Sequence, residues 1–170
     1  MEDVILYFVQ NANNEHLGRT KLMKLLYYAD FDHYERAGEP ITGATYKKMP
    51  HGPMPDQGHH TLDVLIRSGK LVERSIERGP HVQISYDIIG DPPIRFTPAQ
   101  LATLEAVVAE WRDAPSKTIE KASHDEPPWN GVRDREIIPY HLAYYRNRCG
   151  EMELDAEELL AMAGGAEEWG

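Results

Sequence analysis

Leu71-Val-Glu-Arg-Ser-Ile-Glu-Arg-Gly-Pro-His-Val-Gln-Ile-Ser-Tyr-Asp-Ile88 is the stretch that decides the fold class. Val82, Ile84, Tyr86 and Ile88 alternate with polar residues at period two, which places one side of a strand on a core. Leu71–Ile76 and Val82–Ile88 flank Arg78-Gly79-Pro80, and together they read as a β-hairpin with one face packed on helices. Upstream, helices are predicted over Asp3–Asn11, Arg19–Arg36 and Asp56–Arg67. The second sets Leu22, Leu25, Leu26 and Ala29 on one face, and Gly38 followed by Pro40 stops it. Ile41–Met49 is rich in Thr and Tyr and predicts one short strand near 44–49, and His51-Gly-Pro-Met-Pro55 predicts a rigid turn. Downstream, Thr97, Pro98 and Gln100 form a capping-box start, with Leu101, Leu104, Val107, Val108 and Trp111 as the buried stripe. A short helix over Lys117–His124 is expected to end at Glu126-Pro127-Pro128. Helical patterns resume over Pro139–Arg148 and again after Asp155. The expected fold is α+β: a mostly helical single domain with a small antiparallel sheet.

The chain has 170 residues, 41% hydrophobic and 27% charged, which suits one globular domain over 1–150 with an acidic C-terminal helix and tail over 151–170. Such a domain buries roughly 70% of its unfolded surface and needs no disulfide or metal to hold it. Cys149 is the only cysteine, which excludes an intramolecular disulfide and a Cys-based zinc site and favours a reducing compartment. Glu2 and Asp3 before a short apolar run do not make a secretory signal, and no segment has transmembrane length, so a cytoplasmic protein without a membrane partner is expected. The formal net charge is −10, of which residues 151–170 hold seven acids and no Lys or Arg. An acidic chain without a long basic run is a poor match to a phosphate backbone. A small basic patch from Lys47, Lys48, Arg19, Lys21 and Lys24 beside the hairpin keeps a winged-helix DNA-binding regulator open as an analogy.

The eight histidines raise the question of a metal. His33 lies near Asp30, while His59, His60 and Asp63 share a helical turn. His124-Asp125 is the dipeptide of HD-type metal-dependent phosphohydrolases, which would need His33 or His60 and Asp134 as further ligands. Pro127 and Pro128 interrupt the helix that should present the pair, and no metal or other cofactor is expected. Cys149 has no activating partner, and no Gly-x-Ser-x-Gly, phosphate-binding glycine loop or dinucleotide fingerprint occurs. No catalytic residue is assigned, and a non-enzymatic protein is expected.

Two blocks are dense in aromatic residues and proline. The first is Lys24-Leu-Leu-Tyr-Tyr-Ala-Asp30 with His33, Gly38-x-Pro40-Ile-Thr-Gly43-x-x-Tyr46 and Met49-Pro-His-Gly-Pro-Met-Pro55. The second is Ser123-His124 with Pro128-Trp129. Tyr and Trp suit a core and an interface equally. In order and spacing, over residues 17–130, these blocks resemble the Panacea (SocA-like) domain of antitoxins. The resemblance implies a protein encoded beside a toxin gene in bacteria or prophages, which neutralises that toxin by direct contact. For the SocA-like branch it implies a proteolytic adaptor that delivers the toxin to an ATP-dependent Clp-type protease. It carries over Tyr28, Asp30, His33, Tyr46, Gly52, Pro53, His124 and Trp129 as structural or partner-binding positions. The surface members of the aromatic block between Tyr27 and Tyr46 are the expected partner anchors.

Overall fold

The computed structural model describes residues 1–93 and 95–146. Cys149, the end of the helical pattern running to Arg148, the capping box at Asp155 and the acidic tail lie outside the described residues. In chain order the elements are α1 (Glu2–Asn11), a 3-10 turn (Asn14–His16), α2 (Arg19–Ala37), β1 (Tyr46–Met49), β2 (Gly52–Pro55) and α3 (Gly58–Arg67). Then follow β3 (Leu71–Arg78), β4 (His81–Ile88), α4 (Pro98–Trp111), α5 (Ser116–His124), α6 (Pro127–Asn130), β5 (Ile137–Ile138) and a 3-10 helix (Tyr140–Arg146). The α+β expectation holds. The short strand and the hairpin do not share a sheet, however: β2-β1-β5 form a three-stranded antiparallel sheet, and β3-β4 stand as a separate pair.

α2 is the axis of the domain. The spacing of its leucines predicts one apolar face, yet every residue from Lys21 to His33 is buried. α1, α3, α4, α5, β2 and the C-terminal 3-10 helix pack around it, and a helix so enclosed must satisfy its polar side chains internally. Gly38 ends it in the left-handed conformation at φ 74°, its N–H bonded to Tyr34 O at 2.8 Å. Two buried lysines of α2 tie neighbouring elements to it. Lys21 Nζ donates to Arg112 O and Ala114 O at the C-terminal end of α4 (2.8 and 2.7 Å), and Lys24 Nζ donates to Pro53 O on β2 (2.7 Å). Both ammonium groups are pushed down to about 8 by burial. The expected basic patch therefore does not form, because two of its members face inward.

The Thr97–Gln100 capping box is present in both directions. Leu104, Val107, Val108 and Trp111 are buried as the stripe requires, but Leu101 is 38% exposed on the first turn of α4. The segment His51–Pro55, expected as a turn, supplies β2. Proline lacks the donor that a central strand needs, and β2 is an edge strand, where Pro53 and Pro55 are tolerated. α5 ends at His124 as expected, and Pro127 then opens a new single turn, α6, because a first-turn N–H has no helical partner to lose. In the hairpin Tyr86 is buried, whereas Val82 is 64% exposed near the tip, so the alternating face meets the body only at its base.

Candidate functional site

Asp30 on α2 is the centre of the first motif block. It is fully buried, and its Oδ1 accepts from Thr42 N at 2.6 Å. Its Oδ2 accepts from the Thr42 hydroxyl and, at 2.7 Å, from the Tyr46 hydroxyl on β1. Tyr140 donates to Ala44 O at 2.6 Å, with its oxygen 3.5 Å from Asp30 Oδ2. Burial pushes the Asp30 carboxyl up, and the bonds from Thr42 and Tyr46 oppose that rise. The same burial, with Asp30 beside it, holds the Tyr46 phenol well above its ordinary range. The carboxylate thus pins the loop after α2, β1 and the C-terminal 3-10 helix to one point.

The other α2 positions look inward as well. His33 is 2% exposed and its Nδ1 lies 3.0 Å from Thr103 Oγ1 on α4. Thr103 Oγ1 also lies 3.2 Å from Ala99 O, so the hydroxyl links the imidazole to the backbone of α4. Desolvation lowers the His33 pKa. Tyr28 stacks on Trp111 with ring centres 4.9 Å apart. Tyr27, Phe31 and Tyr46 pack ring to ring and are buried, so the expected surface anchors of this block lie in the core, with Tyr34 only half-buried.

The two motif blocks meet where β2 crosses α2 and α5. Gly52 has φ 94°, and a Cβ there would stand 2.6 Å from Ser123 Oγ and 3.1 Å from Lys24 Cε. Glycine is therefore required twice over, for the backbone conformation and for the close approach. The neighbouring Pro53 is buried and offers its carbonyl to Lys24. On the outer side of this junction His124 stacks on Trp129, ring centres 4.2 Å apart, and Lys48 Nζ sits 4.1 Å from the Trp129 ring centre while donating to Val132 O. Desolvation lowers the His124 pKa. The indole thereby holds together α5, α6 and β1 across the Pro-Pro turn.

Arg146, which no sequence pattern singles out, completes the arrangement. Its side chain is 1% exposed and its Nη2 donates to Asp32 Oδ1 at 2.6 Å and to Glu126 Oε1 at 3.2 Å. Nε lies 3.1 Å from Glu126 Oε2, Nη1 lies 3.9 Å from Glu35, and the guanidinium sits 5.6 Å from the ring centres of both Tyr27 and Tyr28. Tyr27 donates to Glu126 at 2.7 Å. Glu126 lies inside the second block, so its charge was visible in the sequence; its partner, 20 residues on, was not. Lys24, Thr42 and Ser123 stand within the two blocks and Tyr140 outside them, but the partners they meet were not legible, since those contacts join residues separated in the chain.

The residues considered for a metal are not brought together. Asp63 pairs with Arg19 (2.8 Å), His33 with Thr103 and His124 with Trp129, while Asp134 is exposed and 3.9 Å from Lys48. Among the described residues no group of three or more His, Cys, Asp or Glu side chains is arranged to hold a metal ion. No helix among them is long and apolar enough to cross a membrane. No curated protein and no solved structure matches the chain. One family model does: the antitoxin SocA-like, Panacea domain, over residues 22–130. The match runs from the first buried leucine of α2 to the end of α6, which takes in both motif blocks and the junction between them. By that match, over well more than half of its length, the chain belongs to the SocA-like antitoxin family of Panacea-domain proteins.

Proposed function

We propose that this chain is the antitoxin of a bacterial or prophage toxin–antitoxin pair, acts in the cytoplasm, and neutralises a cognate toxin by direct protein contact without catalysis of its own. The family match carries this reading. The geometry supports a division of labour within it. Tyr28, Asp30, His33, Tyr46, Gly52 and Pro53 are buried, and His124 and Trp129 are half-buried against one another. These positions hold a common scaffold, and partner contact falls to the exposed surface, which is free to differ between members that meet different toxins. Delivery of the bound toxin to an ATP-dependent Clp-type protease is a further step of the same proposal.

The test is co-expression with the product of the adjacent reading frame. Growth rescue and a co-purifying complex should appear together, and chelator should leave both intact. Rescue without a complex, or rescue that depends on a bound metal, would overturn contact neutralisation. The protease step is checked separately by following toxin half-life in cells with and without the Clp peptidase. An unchanged half-life removes the adaptor role and leaves masking as the mechanism.

A further inference from the structure

The two strands of the β3–β4 hairpin are not equivalent. The register runs unbroken over eight pairs from Leu71↔Ile88 to Arg78↔His81. β4 is the inner strand: Ser85 and Tyr86 are buried, and the Gln83 amide donates to Glu15 O in the 3-10 turn that lies along it. β3 is the outer strand, with Val72, Glu73, Arg74, Ser75 and Glu77 all exposed. Ile89 N donates to Lys70 O at 2.9 Å, which sets the phase of the ladder. In an antiparallel pair alternate residues bond to the partner strand, so the even-numbered residues of β3 bond to β4. Glu73, Ser75 and Glu77 then turn their N–H and C=O groups outward, and among the described residues none of these groups has a backbone partner.

Both edges of the three-stranded sheet are blunted, and the free edge of β4 faces the 3-10 turn and Gly18. β2 carries Pro53 and Pro55, and β5 is two residues long with Pro139 directly after it. β3 has no proline, no bulge and eight residues. Its charges are sorted by face: Glu73 and Glu77 share one side with Ser75, and Arg74 lies on the other with Val72 and Ile76, where it is already paired with Asp87 of β4. A second copy of the chain is a poor occupant. A two-fold axis normal to a sheet keeps each face on its own side, so acids would stand opposite acids or uncharged residues in any such pairing, and like charges opposite one another destabilise a sheet.

We propose that the outer edge of β3 is the docking site for an extended strand of the partner protein, one that places basic residues opposite Glu73 and Glu77. The inference rests on the antitoxin reading for the partner's identity, and on the hairpin alone for the mode of binding. Main-chain bonds to Glu73, Ser75 and Glu77 hold the strand, and the sorted charges select it while discouraging self-association.

The test uses the full chain with Ser75→Pro. An outward N–H is lost there without touching a bond to β4, so the hairpin persists while the edge is blocked. Against the adjacent-frame toxin, binding should weaken at least about tenfold with far-UV dichroism unchanged, and the paired change Glu73→Lys with Glu77→Lys should weaken it too. In the wild-type complex the amides of Glu73, Ser75 and Glu77 should gain protection from hydrogen exchange. Full toxin binding by Ser75→Pro, with no protection of those amides, would overturn the edge proposal and leave the antitoxin reading standing. If wild-type protein binds no toxin, the antitoxin reading falls, and a synthetic peptide Lys-Val-Thr-Glu-Lys-Val decides the edge by itself. Amide shifts along β3, absent in Ser75→Pro, would support it; no shift at millimolar peptide would refute it.

Discussion

Replacing Arg146 by methionine isolates the largest buried charge arrangement in the domain. Methionine keeps much of the volume and removes the cation from Asp32, Glu35 and Glu126, whose side chains are 6%, 8% and 13% exposed. Breaking a buried ion pair from one side costs about 3–5 kcal/mol, because the carboxylates left behind are desolvated without compensation. For a domain of this size, 1 kcal/mol corresponds to about 2–4 °C in Tm, so a fall of about 6–20 °C is expected. That is a large share of a typical stability of about 5–15 kcal/mol. Arg146→Lys should recover only part of it, since an ammonium cannot bond Asp32 and Glu126 with one planar fork. The assay is urea or thermal unfolding of the full chain at pH 7. A loss under about 1 kcal/mol would refute the view that Arg146 is held by buried charge.

Gly52→Ala should cost about 1–3 kcal/mol, since it combines a positive φ with a 2.6 Å contact to Ser123 Oγ; an unchanged melting curve would mean that β2 can move away from α2. Trp129→Ala should cost about 3 kcal/mol, the low end for a tryptophan because the ring is half-buried, and wild-type stability with lost toxin binding would assign the residue to the interface instead. His33 and His124 have folded pKa values below their ordinary 6.5, chiefly through desolvation. The unfolded chain therefore takes up these protons first. Their contribution to stability is complete above pH 6.5 and is lost as pH falls through 6.5 towards the depressed folded values. Unfolding free energies from pH 7.5 to 5.5 should decline, and less steeply in His33→Gln; a flat profile would contradict buried neutral imidazoles.

Local signals were enough for most of the elements. The period-two run Val82–Ile88, the capping box at Thr97 and the glycine after Ala37 are each written within a few residues, so hairpin, α4 and the end of α2 were legible without any partner. The family blocks were legible as strings too, since their order and spacing are properties of the chain alone. Tertiary structure alone decided what those residues do. Six of the eight motif positions are buried, three of them because α2 is enclosed by its neighbours, which also turned Lys21, Lys24 and Asp30 from apparent surface charges into internal ties. The short strand acquired β2 and β5 as partners, and Arg146 acquired Asp32 and Glu126, through contacts between residues far apart in the chain. Hydrogen bonds and ion pairs of that kind leave no periodicity behind them. They are set by which surfaces the packed helices bring within about 3 Å, and one-dimensional spacing does not carry that information.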